Sequence, residues 1–495
     1  MDSRQQWPNS VRGDGRSNPT AKSKYDLVVI GGGTAGLVAA AGAAQLGAQV
    51  ALIEQHSLGG DCLNFGCVPS KALLHQASDI FHRSADLADA EARYAIGAER
   101  FPDVIRALDN ARDTLSLHDS VERFTKLGVD LFFGRASFAS HSSISVDGTA
   151  LNFRKAIVAI GTKPSIPRIP GLADSGYLTN ETLFSLKRLP KRLLVIGGGP
   201  IGCEMAQAFN RLGSQVCLVE VGPNLLPKDE QAAGELVEKQ LTAEGVKVHL
   251  LSEVTEVTKQ DNAYRAAIKN NQSSHSLVFD EVLVAAGRKS DWKSLQPQLA
   301  SIELTDNSEP ILNDFLQTTN RHVFAAGDCT SFVRFTHAAD AQSRIALRNA
   351  LFLGRSRVSR LIVPHCTFTH PEVAQVGQNA EELARRQIPF STYEVHYRDI
   401  DRAVMDQLEN GWIRIYCQDG TDRILGASIA GKNAGELIGF VTFAITRKIG
   451  LKRFSESLQP YPTLTDGLRK LGDQYQRTRL TPWVRTVLKW LARRT

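Results

Sequence analysis

Two cysteines five positions apart, Cys62 and Cys67, carry the most reactive side chains in the sequence. In a regular α-helix, residues at this spacing would lie about 8.6 Å apart at Cα, from a rise of ~1.5 Å and a turn of ~100° per residue. A disulfide needs Cα atoms within about 7 Å of each other. If the two cysteines pair, the segment between them is therefore not a regular helix, and Gly66 permits such a break.

Pro69 favours a helix that begins near Cys67, because the first turn of a helix tolerates a residue without an N–H. The Cys67 sulfur would then lie at a helix N-terminus, where the dipole lowers the pKa of a thiol. These residues together indicate a reactive thiol pair. Two buried structural thiols are the alternative, and a zinc site is disfavoured because no second cysteine pair follows.

A short apolar run, Tyr25–Ile30, leads into a glycine-rich turn, an alanine-rich helical stretch and a second strand that ends in Glu54. This order is typical of dinucleotide-binding units. Gly31 forms the turn, Gly33 lets the backbone approach a pyrophosphate, and Gly36 lets the helix pack on the strand. The helix N-terminus favours phosphates, and Glu54 can accept a hydrogen bond from an adenosine ribose.

The same pattern recurs in the middle of the chain, with Gly197, Gly199 and Gly202 as the glycines and Glu220 as the acid. The acid follows the first glycine by the same number of positions in both copies. Two such sites predict two dinucleotides that exchange electrons. A decayed structural repeat is disfavoured, because both copies keep all three glycines and the acid.

Composition limits the class of protein. A chain of 495 residues suffices for about three domains. No apolar run approaches about 18 residues, so we predict no membrane-spanning helix. Seven cysteines are few and odd in number, which disfavours a secreted disulfide framework and favours the cytoplasm. Residues 1–23 are polar and lack an apolar h-region, so we predict a disordered extension rather than a signal peptide.

The net charge of +6 comes from the end of the chain, where six basic residues and no acid follow Tyr475. The main body is formally neutral, which disfavours nucleic-acid binding.

The motifs together resemble the FAD-dependent class I pyridine nucleotide–disulfide oxidoreductases, and mercuric reductase-like members most of all. The resemblance covers about residues 24–475. The segment from Leu58 to Lys71, with Gly60-Asp61-Cys62 and Cys67, resembles the redox-disulfide signature of the family. Four further segments resemble family motifs in the family order: Ala159-Ile160-Gly161-Thr162, Ala285-Ala286-Gly287-Arg288, Phe324-Ala325-Ala326-Gly327-Asp328 and Phe368-Thr369-His370-Pro371-Glu372-Val373-Ala374.

The resemblance implies an α/β fold of two Rossmann-like dinucleotide-binding domains, for FAD and for NAD(P), with an α+β dimerisation domain. It therefore implies a homodimer. The implied segments are the disordered extension 1–23, an FAD domain of 24–162 and 290–362, an NAD(P) domain of 163–289, a dimerisation domain of 363–475 and a basic amphipathic tail of 476–495.

The resemblance also implies that electrons pass from the nicotinamide through the flavin to a Cys62–Cys67 disulfide. Cys67 would be the thiol next to the flavin, and Cys62 would meet the acceptor. Lys71, one helical turn after Cys67, would lie near the flavin and pair with Glu204; an ordinary acid in a first helical turn is the alternative for Glu204. The implied FAD-binding residues are Gly31, Gly33, Gly36, Glu54, Lys71, Ala136, Gly161, Asp328 and Ala338, and the implied NAD(P)-binding residues are Gly197, Gly199, Gly202, Glu204, Glu220, Val254 and Gly287.

Glu220 favours NADH over NADPH, because its carboxylate suits a ribose 2′-hydroxyl and would repel a 2′-phosphate. No arginine lies between Val221 and Pro227 to bind that phosphate. Lys228 still permits NADPH, which mercuric reductases generally use.

Tyr461 departs from the pattern of the family members that exchange dithiols. Those members carry a histidine here as the acid–base, supplied by the partner subunit, and a glutamate a few residues on, where this chain has Asp466. Tyrosine has a pKa of about 10 and histidine of about 6.5, so tyrosine is the poorer base. Tyrosine resembles mercuric reductase, in which Cys62 and Cys67 would be transient soft-metal ligands. Tyr461 and Asp466 are catalytic candidates, with packing at the dimer interface as the alternative for Tyr461.

The chain ends without the vicinal cysteine pair that delivers Hg(II) in mercuric reductases, and no structural metal is implied. Three functions stay open. The first is NAD(P)H-dependent reduction of Hg(II), another soft metal or a small acceptor. The second is a dihydrolipoamide dehydrogenase-type activity, and the third is a non-catalytic flavoprotein sensor of redox state or metal.

Thr481-Pro482 predicts the start of a C-terminal helix, with threonine as N-cap. Apolar residues would occupy one face of this helix and basic residues another. Such a helix can lie on an anionic membrane surface, which would place the protein at the membrane periphery. A helix docked on the interface domain, with a solvated basic face, is the alternative.

Overall fold

The computed structural model describes residues 7–84, 89–260, 263–270, 273–352, 354–408 and 410–493. The chain divides into two compact units, residues 1–221 with 245–361 and residues 222–244 with 362–495. The described helices are α1 (Thr34–Gln45), α2 (Gly60–Asn64), α3 (Cys67–Arg83), α4 (Ala90–Ser116), α5 (Val121–Lys126), α6 (Asn180–Leu183), α7 (Pro200–Arg211), α8 (Gln231–Glu244), α9 (Thr336–Leu351), α10 (Ala380–Arg385), α11 (Asp401–Met405), α12 (Ala434–Arg447), α13 (Lys452–Glu456), α14 (Asp466–Thr478) and α15 (Pro482–Ala492).

The described strands are β1 (Tyr25–Ile30), β2 (Val50–Glu54), β3 (Asp130–Phe133), β4 (Ala136–Ser140), β5 (Ser143–Val146), β6 (Thr149–Val158), β7 (Lys163–Pro164), β8 (Arg192–Ile196), β9 (Gln215–Val219), β10 (Lys247–His249), β11 (Ser252–Gln260), β12 (Ala263–Asn270), β13 (Ser274–Phe279), β14 (Glu281–Val284), β15 (Arg288–Lys289), β16 (Val323–Ala325), β17 (His365–Thr367), β18 (Glu372–Gly377), β19 (Phe390–His396), β20 (Trp412–Gln418) and β21 (Ile424–Gly431).

The largest sheet of the first unit runs in the order β3-β2-β1-β6, with β16 also paired to β6. These strands are parallel, whereas β5 and β4 continue from β6 as an antiparallel extension. Side chains alternate along β1, so Leu27 and Val29 enter one hydrophobic core while Val28 and Ile30 enter another. The sheet is therefore buried on both faces, as continuous apolar runs predict.

A second parallel sheet in this unit has the order β10-β9-β8-β14, beside an antiparallel sheet β11-β12-β13. Both parallel sheets contain the predicted strand, glycine turn, helix and strand. A Cβ added at Gly36 would lie 1.8 Å from the carbonyl oxygen of Gly31, and one at Gly202 would lie 1.9 Å from that of Gly197. Only glycine permits such a close approach of helix to strand, so the fold prediction of two dinucleotide-binding units is confirmed.

The second unit is built on an antiparallel sheet in the order β17-β18-β21-β20-β19. Its core includes residues of β20 and β21 together with Leu437 and Val441 from α12 and Leu468 and Leu471 from α14. Helices that cover an antiparallel sheet form an α+β domain, as the resemblance implied. The predicted boundary between the two dinucleotide-binding domains stays a prediction, because the first unit contains nearly all of both domains. Residues 222–244 of the predicted NAD(P) domain belong to the second unit instead.

The expectation of a disordered extension over residues 1–23 is wrong for residues 7–23; residues 1–6 lie outside the described chain. Val11 is fully buried and joins the core of the first unit. Its carbonyl accepts a hydrogen bond from Leu58 N at 3.0 Å, and Gly13 N donates to His56 O at 3.3 Å. Asn18 pairs with the backbone of Phe133 through both its amide nitrogen and its amide oxygen. A few side chains thus fix a segment whose average composition is polar.

The predicted C-terminal helix is present as α15. Thr481 caps it, since its side chain accepts a hydrogen bond from Val484 N at 3.4 Å, and Pro482 occupies the first helical position. No residue of α15 is buried, which disagrees with a helix docked on the second unit. Among the described residues, no helix combines the length and apolar character needed to cross a membrane.

Candidate active site

The two reactive cysteines lie on two consecutive helices rather than on one. Cys62 belongs to α2, and α3 begins at Cys67. The helical path breaks at Phe65 and Gly66, whose φ angles are −136° and −122°. The amide of Asn64 braces the start of this turn by donating to Leu58 O at 3.2 Å and to Gly60 O at 2.9 Å. The predictions of an interrupted helix and of a helix start at Cys67 are confirmed.

Cys62 and Cys67 are in the dithiol form, and their thiols share a hydrogen bond. That bond lowers the pKa of Cys67 to about 6, with further help from the Thr336 hydroxyl and the Lys71 charge. The Thr336 Oγ1 atom lies 3.4 Å from the Cys67 sulfur. The same hydrogen bond and burial raise the pKa of Cys62. These opposite shifts favour a thiolate on Cys67 and a neutral thiol on Cys62.

Lys71 and Glu204, which the sequence places in separate motifs, form an ion pair. The Lys71 Nζ atom lies 3.0 Å from Oε1 and 2.8 Å from Oε2 of Glu204. The Glu204 side chain is only 5% exposed, whereas that of Lys71 is 35% exposed. The pair joins α3 to α7 and places a cation one helical turn from Cys67.

Asp61 brings a negative charge next to the thiol pair and is held by two partners. Its Oδ1 atom accepts a hydrogen bond from Asn180 Nδ2 at 2.8 Å and lies 3.1 Å from Arg288 Nη2. Arg288 in turn donates to the Thr162 hydroxyl and carbonyl, each at 2.9 Å. The Asp61 charge raises the pKa of both cysteines, so it opposes Lys71.

A cavity of about 720 Å³ extends from the first glycine turn to Cys62. Cys62 and Asp61 line it, as do Thr336 and Trp7. Of the residues predicted to bind FAD, those that line the cavity are Gly31, Gly33, Glu54, Ala136, Gly161 and Asp328. Gly36, Lys71 and Ala338 are not among its lining residues: Gly36 packs against the turn, Lys71 pairs with Glu204, and Ala338 is buried in α9.

The cavity fits a dinucleotide such as FAD. The N-terminus of α1 has no side-chain cap, so its first backbone N–H groups suit phosphate oxygens. Glu54 stands at the end of β2 beside this turn, and a carboxylate accepts more than one hydrogen bond. Cys62 lies on the same cavity wall, where a disulfide can meet a redox group. Burial raises the pKa of the Asp328 carboxyl, whose charge Arg288 favours.

The two acids that end the second strand of each repeat make the same contact. Gly32 N donates to Glu54 Oε2 at 2.7 Å, and Gly198 N donates to Glu220 Oε2 at 2.5 Å. Each carboxylate is therefore fixed against its own glycine turn. Burial raises the pKa of Glu54, whereas the backbone hydrogen bonds from Gly32 and His56 lower it.

The other residues predicted to bind NAD(P) lie around the second glycine turn. Gly199 is the N-cap of α7, and this helix also has no side-chain cap. Gly287 follows β14, and its carbonyl accepts a hydrogen bond from Ser165 N at 2.9 Å. Val254 lies on β11 with its side chain 6% exposed in the hydrophobic core, so any contact with a nucleotide would come from its backbone.

Tyr461 and Asp466 lie in the second unit and do not bond to each other. The Tyr461 hydroxyl donates to Asp401 Oδ2 at 2.9 Å, and this bond raises the pKa of Tyr461. Asp466 instead accepts from Arg469 Nε at 2.7 Å at the start of α14. The ring of Tyr461 is 69% exposed. Its hydroxyl is thus a donor near neutral pH rather than a base.

Sequence reasoning missed Thr336, the Asp61–Arg288 pair, Asp401 and Trp7. Thr336 begins α9, far along the chain from Cys67, and no local pattern indicated its contact with the thiol. An acid directly before a reactive cysteine was a usable signal for Asp61. No local sequence pattern indicated the contacts of Asp401 and Trp7, because their partners lie far along the chain.

Known proteins resemble this chain over most of its length. Residues 25–344 match the family described as pyridine nucleotide-disulphide oxidoreductase, and residues 363–471 match the dimerisation domain of that family. Mercuric reductase of Lysinibacillus sphaericus is 33% identical over 448 residues, which cover 90% of this chain and 82% of that protein. Dihydrolipoyl dehydrogenase of Thermus scotoductus is 31% identical over 455 residues, which cover 91% of this chain and 97% of that protein.

A solved structure shares the fold. The Cu(II) complex of the HOCl-induced flavoprotein disulfide reductase RclA from Escherichia coli superposes with a TM-score of 0.80 at 26% sequence identity. The superposition covers 90% of this chain and 98% of that chain.

Proposed function

This chain belongs to the pyridine nucleotide-disulphide oxidoreductase family, and we propose that it reduces a soft metal ion, as mercuric reductase does, or a small acceptor. We propose NADH as the electron donor. The family uses FAD and a pyridine nucleotide, and its dimerisation domain supports a homodimer. We propose three further properties: the class of acceptor, the preference for NADH and a cytoplasmic location.

The residues of the first repeat would hold FAD, and those of the second would hold the nicotinamide dinucleotide. Bound FAD supplies the step that links hydride donation by the nicotinamide to reduction of a disulfide. Glu54 would accept from the adenosine ribose of FAD, and Glu220 would accept from the ribose of NADH. Lys71 would balance negative charge near the flavin, and Glu204 would orient Lys71.

The thiol pair stores two electrons. When the S–S bond of the oxidised pair accepts the equivalent of one hydride, it breaks to give the Cys67 thiolate and the Cys62 thiol. NADH becomes NAD⁺, so charge, hydrogen and electrons balance. Reduction of one divalent metal ion to the element uses the same two electrons and releases the Cys62 proton.

The state of Tyr461 is the observation that favours a metal ion over a disulfide substrate. Dithiol exchange needs a base that takes a thiol proton, and a tyrosine hydroxyl that donates to Asp401 does not act as one. A soft metal ion needs thiolates as ligands, and Cys67 is poised as a thiolate. The mercuric reductase relative and the copper complex of the structural neighbour support the same class of acceptor.

Turnover under anaerobic conditions tests the proposal. The purified holoenzyme is given NADH or NADPH and then Hg(II), Cu(II), lipoamide or glutathione disulfide. We expect NADH to be preferred, metal reduction to exceed disulfide reduction by at least about tenfold, and Cys62→Ser to abolish it. Cys366→Ser, in the second unit, is the matched control. Faster turnover with lipoamide than with any metal would overturn the metal assignment, and full activity of Cys62→Ser would overturn the role of the thiol pair.

A dihydrolipoamide dehydrogenase-type activity is the second candidate. The relative from Thermus scotoductus supports it, since the alignment covers 97% of that protein. The lipoamide arm of the same experiment distinguishes the two.

A further inference from the structure

Helix α15 is an exposed helix that the proposed redox function does not use. Thr481 and Pro482 define its start, so it is a built element rather than a frayed end. None of its residues is buried. Trp483 is 73% exposed, and Leu488 and Leu491 are each exposed by nearly half. Apolar side chains of this size rarely stay exposed together without a partner surface.

The helix separates its apolar and basic residues onto opposite faces. At about 100° per residue, the apolar side chains span an arc of about 160° and the basic ones an arc of about 80° on the opposite side. The apolar arc consists of Trp483, Val484, Val487, Leu488, Trp490 and Leu491, and the basic arc consists of Arg485, Lys489 and Arg493. Both tryptophans lie at one edge of the apolar arc, the position that indole rings favour at a lipid–water interface.

The charged side chains after Tyr475 are all positive. Asp473 is the last acid of the chain, and six basic residues follow Tyr475. The ion pairs of the described residues engage neither Arg485 and Lys489 on α15 nor Arg493 at its C-cap. A partner surface for this helix must therefore cover an apolar arc and neutralise a row of cations together.

We propose that α15 binds in the plane of an anionic phospholipid bilayer. Its apolar arc would lie at the boundary of the acyl chains, and its basic arc would meet lipid phosphates. The helix has 11 residues and is about 16 Å long, too short to span a bilayer, which takes about 20. A second copy of this chain would cover the apolar arc but leave the cations unbalanced, so an anionic lipid surface fits both arcs better.

Vesicle co-sedimentation of the full-length holoenzyme tests this. The vesicles are phosphatidylcholine alone or phosphatidylcholine with about one third phosphatidylglycerol, at low and high salt. We expect at least about tenfold stronger partitioning to the anionic vesicles, lost at high salt because the attraction is screened. Removal of residues after Tyr475 should abolish partitioning, and indole fluorescence should shift to the blue on binding.

Two sets of variants separate charge from apolar burial. Arg485→Gln, Lys489→Gln and Arg493→Gln together should reduce anionic binding by at least about tenfold. The matched control removes three exposed lysines of the first and second units, Lys239→Gln, Lys259→Gln and Lys269→Gln, and should bind as the natural chain does. Leu488→Gln on the apolar arc should weaken binding, whereas Thr486→Gln outside it should not. NADH-dependent turnover in solution should be equal in all of them.

Equal sedimentation with neutral and anionic vesicles would overturn the proposal, and so would unchanged binding after truncation at Tyr475. A change of oligomeric state in Leu488→Gln, measured by analytical ultracentrifugation, would also overturn it, because it would assign the apolar arc to a second copy. Loss of turnover in the Cys62→Ser variant leaves vesicle binding unaffected, so failure of the redox proposal is distinguishable from failure of this one.

Discussion

Neighbouring side chains stabilise the thiolate of Cys67 more than its position in the sequence does. A thiol, a hydroxyl and an ammonium group all favour the thiolate, whereas burial and the charge of Asp61 oppose it. The hydrogen bond from Cys62 is the largest of these effects. Each cysteine is therefore the main determinant of the other's protonation, which gives the pair unequal chemical roles.

Replacement of Cys62 by alanine should raise the pKa of Cys67 from about 6 toward that of an ordinary thiol, because the hydrogen-bond donor is lost. Only the thiolate reacts with iodoacetamide, so in the natural chain the alkylation rate of Cys67 should fall as pH drops below about 6. In Cys62→Ala the fall should begin at higher pH. Mass spectrometry of the Cys67 peptide across a pH series measures both.

Thr336→Val is a control of intermediate effect for this prediction. It removes one hydroxyl contact at 3.4 Å and leaves Cys62 in place. The pKa of Cys67 should therefore rise, but by less than in Cys62→Ala. An unchanged alkylation profile in Cys62→Ala would contradict the assignment of Cys67 as the thiolate.

At the scale of elements, α3 and α7 are tied by one ion pair between Lys71 and Glu204. Lys71→Met removes the ammonium group that faces the buried Glu204 carboxylate. This should lower the free energy of unfolding by about 2 kcal/mol, less than for a fully buried pair because Lys71 is 35% exposed. Adding Glu204→Gln should recover most of that loss. Urea denaturation of the apoprotein measures both variants; equal stability of the single and double variants would contradict the account.

The N-terminal segment contributes a side chain to the wall of the cofactor cavity. Trp7 lines the cavity, and its ring lies 5.6 Å from that of Phe65 and 6.0 Å from that of His56. Deletion of residues 1–13 should therefore weaken retention of FAD by at least about tenfold, measured as the rate of flavin release on dilution. Trp7→Ala should give a smaller effect of the same sign, whereas an exposed change such as Asp14→Ala should give none. Unchanged release after the deletion would contradict this placement.

Local signals in the sequence predicted the elements that hold the site. The glycine turns, the start of α3 at Cys67 and the Thr481 cap each depend on residues within a few positions. The segment 7–23 did not follow its composition, because Val11 and Trp7 fit into surfaces that residues 56–65 create. Thr336 contacts Cys67, and Arg288 contacts Asp61, each from more than 200 positions away. One sequence carries no signal for such contacts.

At the scale of the whole molecule, Tyr461, the residue that we propose distinguishes between acceptors, belongs to the second unit. Tyr461→His would place a group with a pKa near 6.5 where dithiol-exchanging relatives carry one. We expect lipoamide or glutathione disulfide turnover to rise by at least about tenfold, while metal-ion turnover changes by less than about threefold. Steady-state assays of both substrate classes check this. Tyr461→Phe, which also breaks the bond to Asp401 without adding a base, is the control and should raise neither.

The resemblance inferred from the motifs is confirmed by the family matches, and the fold prediction by the two parallel sheets and the α+β unit. The sequence motifs did not identify the acceptor, because its identity depends on side chains that meet only in the folded protein. Tyr461 could be read as a departure from the sequence alone, but its bond to Asp401 could not.

The pairing of β16 with β6 has a consequence for how the protein is made. Val323–Ala325 completes a sheet whose neighbouring strand ended at Val158. At about 5–20 residues per second, a ribosome needs on the order of 10–30 s to synthesise the chain between them. During that time the second glycine-turn unit has already emerged in full, so it can fold first. The nascent first sheet meanwhile presents an open edge at residues 156–158 of β6, where unwanted strand pairing can occur until β16 is made.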